Sequence, residues 1–258
     1  MKRVIQSAIN LSTSSPFLVE KIVEEISGLP GLKVADYSSD PDHNRSVVTL
    51  IGEEESLEKA VLKIVEIAEK EIDISRHRGE HPRVGAVDVI PFTPWRGVDM
   101  EDCKKLAWKV GEKVAERFDV PVYFYGEAAL REEHRDLSRI RRGGYELLKE
   151  EIDKVPERHP DLGPAKIHPT LGAVVIGARG PLVAFNVNLK TQDLDIAKAI
   201  ARKLRGETGG LRYVKAIGVS LKSKDMVQVS MNLLDFKKST IYQAFEMVKL
   251  EAKRWRSE

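Results

Sequence analysis

Two spacings of apolar residues alternate along the chain. Val4, Ile5, Ala8 and Ile9 make residues 2–10 read as a strand, and Leu18, Ile22, Val23 and Ile26 then fall on one side of a helix over 16–27. Ser14 or Ser15 can cap that helix, Pro16 suits its first turn, and Gly28-Leu29-Pro30-Gly31 stops it. Strands follow at 32–37 and 46–51, then a long helix at 54–72 that turns Leu57, Ala60, Val61, Ile64, Val65 and Ala68 toward a core. A strand at 84–90 runs into a rigid Pro-rich loop at 91–97. Next come a helix at 99–117, a buried strand at 121–126 and a strongly charged helical excursion within 130–160.

Residues 161–173 form a loop punctuated by Gly and Pro, long enough to carry function. From Ala173 the pattern reads strand 173–177, strand 182–188, helix 194–204, strands 211–221 and 226–234, and helix 239–253. That ββαββα order is a sandwich in itself, and the preceding β-α-β-β-α-β-α-β order is another. No Gly/Ser linker divides them. The expected fold class is therefore α+β, as two packed α/β-sandwich subdomains with mixed or antiparallel sheets, residues 1–172 and 173–258, holding a ligand in the cleft between them.

Composition narrows the chemistry. A formal net charge of +2 over 258 residues lacks the basic excess of a nucleic-acid binder but leaves small anions open as ligands. The single cysteine, Cys103, excludes an internal disulfide and a cysteine-cluster metal site, and it falls on the apolar face of a helix. No apolar run approaches the ~20 residues of a membrane span, and the start has no signal-type core, so the cytoplasm is the expected home.

Reactive side chains concentrate in His77-Arg78-Gly79-Glu80-His81-Pro82-Arg83, at the mouth of the strand that holds Asp88. Pro82 biases His81 toward an extended backbone, so a group with a pKa near neutrality stands on a fixed, non-helical segment. It also argues against a shared helical face for His77 and His81, and so against a metal pair; His77 is expected to be a surface partner. Asp88 either orients Arg83 or His81 or satisfies backbone donors. The stretch Ser38 to Arg45 places two carboxylates, an imidazole and a guanidinium between two strands, and is either a solvated turn or a binding loop. Arg45, Arg83 and Arg179 are candidate carboxylate anchors. Glu127, at a strand end, is a candidate site carboxylate or a surface residue. Asn186, Asn188 and Asn232 stand on strands, where Asn is uncommon, and could read ring and amide edges.

The run Glu80-His81-Pro82-Arg83-x-Gly85-Ala86-x-Asp88-Val89-x-Pro91-Phe92-x-Pro94 closely resembles the signature of the formiminotransferase domain of the glutamate formimidoyltransferase family, a domain also found fused to a cyclodeaminase. Asn44-Arg45 and Tyr125-Gly126-Glu127-Ala128-Ala129 are similar to the family as well, whereas a position that some relatives fill with Asp is Ser38 here. No cyclodeaminase domain is expected. The resemblance implies transfer of a formimino group from N-formimino-L-glutamate to tetrahydrofolate as co-substrate, without a metal, in a homodimer. It implies His81 as the catalytic group and Asn44, Arg45, Arg83, Asp88, Glu127 and Arg179 around the substrate. Folate contacts are implied for Gly163, Pro164, Ala165, Lys166, Ile167, His168, Pro169, Thr170, Leu171 and Gly172, and for Gly210, Leu211, Arg212, Lys215 and Gly218; Lys166 and His168 follow from position rather than identity. Two alternatives stay open: formyl transfer between N-formylglutamate and 5-formyltetrahydrofolate, and a folate-binding module without catalysis.

Overall fold

The structure is a computed structural model that describes residues 3–80 and 82–255. It divides into two units, residues 1–179 and 180–258.

The first unit is built on a six-stranded mixed sheet. Its strands are β1 (Val4–Leu11), β2 (Leu32–Asp40), β3 (Arg45–Gly52), β4 (Val87–Arg96), β5 (Val122–Gly126) and β6 (Val174–Ala178), in the spatial order β2-β3-β1-β4-β6-β5. The pairs among β2, β3, β1 and β4 are antiparallel, while β6 runs parallel to both β4 and β5. One face is covered by α1 (Pro16–Ser27), α2 (Glu54–Glu71) and α3 (Met100–Phe118), whose apolar stripes close a core with Ile9, Leu11, Leu50, Ile90, Phe92 and Ile176. Each such side chain contributes about 1.5–3 kcal/mol on full burial, which is what holds helices of mostly polar sequence against the sheet. The other face, over β4, β6 and β5, is covered by the short helices α4 (Glu132–Arg135), α5 (Leu137–Ile140) and α6 (Gly144–Glu151), with Val89, Tyr123, Tyr125, Ile140, Leu148 and Val175 buried between.

Local signals act where the sequence places them. Ser15 accepts from the Leu18 amide at the start of α1, and Asp99 and Asp102 form a reciprocal capping box on α3. The Pro-rich run expected to be a loop is instead the second half of β4. Pro91 pairs with Gly177 on β6 and falls between the β1 pairs Asn10 with Val89 and Gln6 with Thr93, a place where the ladder can spare an N–H. The hairpin β2–β3 is also longer than expected and takes in most of the polar stretch, leaving a turn at residues 41–44.

The second unit contains β7 (Val183–Leu189), α7 (Leu194–Leu204), β8 (Val214–Leu221), β9 (Met226–Leu233) and α8 (Ile241–Arg254). Its antiparallel sheet has the order β7-β9-β8, and α7 and α8 bury one face around Ile200, Leu204, Val229, Met231 and Val248. The strand expected to open this unit, β6, belongs to the first one, so the chain divides after Arg179 and not after residue 172. Its five residues are buried on both faces, as in a central parallel strand, and such a run carries no period that says which sheet it joins. Among the described residues, no helix is long and apolar enough to cross a membrane.

Candidate functional site

A slip in register builds the site. Asn10 faces Val89 and Leu11 faces Val87, which leaves Asp88 as the extra residue of a β-bulge where β4 begins. The bulge sends the carboxylate away from the α1–α3 core. It is 2% exposed, accepts from the Val84 amide at 2.8 Å and pairs with Arg141, which follows α5. Of the alternatives left open for Asp88, the backbone donor is present in the Val84 amide, and the guanidinium it pairs with is Arg141, not Arg83.

Arg45 opens β3 directly after Asn44, whose backbone is left-handed with φ 44°. Its guanidinium donates to Asn10 Oδ1, and its buried Nε has no hydrogen-bond partner among the described residues. Burial, then the neighbouring Arg141 charge, push its pKa down from 12.5 to about 10, against the pull of Asp88 and Asp40. The Asp88 carboxylate pairs with Arg141, and it acts on Arg45, together with Asp40, at longer range.

Arg83 is fully engaged. It grips Glu146 of α6 with two prongs, at 3.0 and 2.7 Å, donates from Nε to His77 Nδ1 at 2.9 Å, and reaches the His77 carbonyl at 3.2 Å. Because Nδ1 accepts, the ring proton sits on Nε2, which donates to the Asn44 carbonyl at 2.7 Å. His77 is therefore a buried neutral imidazole, 6% exposed, and not the surface partner expected from the sequence. Burial foremost, and the Arg83 charge next among the lowering causes, hold its pKa below the ordinary 6.5, although the bond to Asn44 pulls the other way. The Asn44 side chain is committed too: its Oδ1 accepts from the Ser14 amide at 2.9 Å and its Nδ2 donates to the Arg78 carbonyl at 2.9 Å.

These residues line one pocket within the first unit, formed by Asn10, Leu11, Ser12, His43, Asn44, Arg45, His77, Arg83 and Asp88. Its empty volume is about 190 Å³ including its open mouth. Four of the expected substrate residues, Asn44, Arg45, Arg83 and Asp88, come together here. His81 lies outside the described residues. Of its flanks, the Glu80 amide donates to the Asp42 carbonyl at 3.4 Å, and Arg83 is held as above.

Glu127 and Arg179 stand elsewhere, at the far ends of β5 and β6. Glu127 is exposed and lies 3.4 Å from Arg135. Arg179 donates its amide to the Phe92 carbonyl at 3.0 Å, and its side chain hydrogen-bonds Tyr125. Tyr125 is buried, within electrostatic reach of Arg141 and Asp88, so it links Arg179 to the pocket cluster. Burial raises its phenol's pKa. Tyr125, Asn10 and Arg141 are the members of this network that sequence reasoning did not select, because each acts through a partner distant in the chain; His77 lies in the reactive run, but its place in the pocket follows from its bond to Asn44 across 33 positions.

The expected folate loop packs on the signature segment. Gly172 bridges to Gly85, the Ala86 amide donates to the Leu171 carbonyl at 2.8 Å, and a Cβ on Gly85 would fall 1.8 Å from the Ala173 carbonyl oxygen. His168 is used internally, its Nδ1 accepting from the Thr170 and Leu171 amides, and Thr170 bonds the Glu69 carbonyl. Gly163, Ala165, Lys166 and Pro169 are exposed, whereas Pro164 and Ile167 are half-buried.

In the second unit the expected stretch is partly structural. A Cβ on Gly218 would lie 2.4 Å from the Lys198 amide nitrogen, and one on Gly210 2.3 Å from the Lys203 carbonyl oxygen, so both glycines serve close packing around α7. Leu211 donates its amide to Leu204, Arg212 lies over the Tyr213 ring at 5.6 Å, and Lys215 is 3.7 Å from Glu207. Asn186, Asn188 and Asn232 are exposed on β7 and β9, and the Asn188 Oδ1 accepts from Gln228 at 2.8 Å.

Comparison with known proteins places this geometry. The formiminotransferase domain, N-terminal subdomain, matches residues 4–179, and the formiminotransferase domain matches residues 184–257. The chain is 40% identical to a glutamate formimidoyltransferase of Streptococcus pyogenes over 99% of its length and 85% of that protein. It is 44% identical to a glutamate formimidoyltransferase of Thermoplasma acidophilum over 92% of its length and 78% of that protein. It is also 41% identical to a formimidoyltransferase-cyclodeaminase of Mus musculus, spanning 98% of this chain but 48% of that protein. With both subdomains matched almost end to end, the chain belongs to the formiminotransferase family.

Proposed function

We propose that the protein is a glutamate formimidoyltransferase, moving the formimino group of N-formimino-L-glutamate to the ring nitrogen at position five of tetrahydrofolate. The observation that carries the reading is the Arg45 guanidinium on the pocket lining, its buried Nε without a hydrogen-bond partner among the described residues. Arg141 holds the Asp88 carboxylate, and a desolvated guanidinium beside that like charge gains from an incoming anion. A donor with two carboxylates supplies that anion. Arg83 is already paired with Glu146, so it braces the site and leaves the anchoring to Arg45.

The reaction needs one proton removed and one supplied. The folate nitrogen forms a bond to the amidine carbon and loses its proton; the carbon–nitrogen bond to glutamate then breaks, and glutamate leaves as an amine carrying a proton. His81 performs both transfers in this reading, a role worth about 10²–10⁴ in rate. Tetrahydrofolate, as co-substrate, meets the loop from Gly163 to Gly172, which packs on the signature segment and supplies exposed Lys166. In this reading the active species is a homodimer, as the resemblance implies.

The test is an assay of the purified protein with tetrahydrofolate and either N-formiminoglutamate or N-formylglutamate. Formation of 5-formiminotetrahydrofolate from the first donor supports the reading. Activity with the formyl donor alone would replace it with the carbonyl reaction, and heat stabilisation by folate without turnover would leave a binding module.

A further inference from the structure

We propose that His77 is a positioning residue for the transfer, a neutral imidazole that ties the turn at 41–44 to the segment 77–83 and so holds both flanks of residue 81 in register with the pocket. This rests on the function proposed above. Both ring nitrogens are occupied, Nδ1 by the Arg83 Nε–H at 2.9 Å and Nε2–H by the Asn44 carbonyl at 2.7 Å, so the ring is not available to carry a substrate proton. It can only hold.

What it holds is a seam between two loops. The Asn44 amide reaches the Arg78 carbonyl at 2.9 Å, and the Glu80 amide reaches the Asp42 carbonyl at 3.4 Å. Gly79 lies so close that a Cβ there would sit 2.3 Å from the His43 carbonyl oxygen and 3.0 Å from the His77 ring. The seam thus has a glycine for contact and an imidazole for direction. On the far side Arg83 is fixed by Glu146 of α6, so His77 is the link between that anchor and the hairpin that carries Arg45. A displacement of about 1 Å in such a bracket can cost ~10²-fold in rate without loss of binding.

The chemistry of the two ring nitrogens can be separated by substitution. His77→Gln retains an N–H donor at the Nε2 position, His77→Asn retains only an acceptor at the Nδ1 position, and His77→Leu retains neither. Measured on the full chain with N-formiminoglutamate and tetrahydrofolate, the Gln variant should keep kcat close to wild type. The Asn and Leu variants should lose kcat by about 10–100-fold with a much smaller change in KM. A folded Leu variant with wild-type kcat would overturn the proposal, as would equal losses in the Gln and Asn variants. That second comparison decides the matter if the Leu variant does not fold. A wild-type protein that forms no product from either donor removes the function itself, whereas a turning-over wild type with indifferent His77 variants removes only the positioning role.

Discussion

Asp88→Asn isolates the electrostatics of the pocket, because the amide keeps the carbonyl oxygen that accepts from Val84 and discards only the charge. In the native protein Asp88 is 2% exposed and pairs with Arg141, whose side chain is 12% exposed, while Arg45 feels its charge at longer range. Removing one partner of a buried pair costs about 3–5 kcal/mol, since it leaves the other charge desolvated and unpaired. Here Arg141 would lose its carboxylate, and Arg45 would keep only Asp40 of the two carboxylates that act on it. At ~2–4 °C per kcal/mol for a unit of this size, the first unit should melt about 6–20 °C lower. Thermal unfolding followed by circular dichroism reads this directly. The double variant Asp88→Asn with Arg141→Met should recover much of the loss, because it removes the orphaned charge as well, and a double-mutant cycle isolates the coupling. A single variant that melts with the wild type, or a strictly additive double variant, would show that the pair is not the coupled, buried centre described above.

Three further outcomes follow from the same geometry. Arg45→Leu should raise KM for the glutamate donor by about 10–150-fold, the loss of one charge-assisted contact of ~1.5–3 kcal/mol, while KM for tetrahydrofolate changes little; steady-state kinetics with each substrate varied will check it. His77 is held below 6.5 by burial, so the unfolded chain takes up a proton that the folded chain refuses. The stability it contributes is then complete above pH 6.5 and is lost as pH falls below that value, and melting curves of His77→Gln should show a shallower acid decline than wild type. Cys103 is buried on α3, and burial together with Asp102 and Asp99 pushes its thiol up to about 12; the native protein should therefore resist iodoacetamide at pH 8 and react only on unfolding.

Much of this was legible in the sequence because the decisive residues are close together along it. The seven residues from His77 to Arg83 announce a reactive segment, and the polar turn before Arg45 announces that something is held there. Periodicity also gave the order of the main helices and strands. What it could not give was lateral. Asp88 meets Arg141 across 53 positions, and Arg83 meets Glu146 across 63. Nothing local to the charged excursion distinguishes Arg141 from its solvated neighbours, and the bulge that aims Asp88 arises only from how β4 registers on β1. The same limit misassigned β6, whose uniformly apolar run fits either sheet, and it read Pro91 to Gly97 as a loop although the strand continues through to Arg96.

The central claim, a proton carried by one imidazole beside an anion-holding pocket, is tested most directly by His81→Ala. Turnover of N-formiminoglutamate should fall about 10²–10⁴-fold while tetrahydrofolate binding and the melting temperature stay near wild type. Turnover that survives the substitution would contradict it.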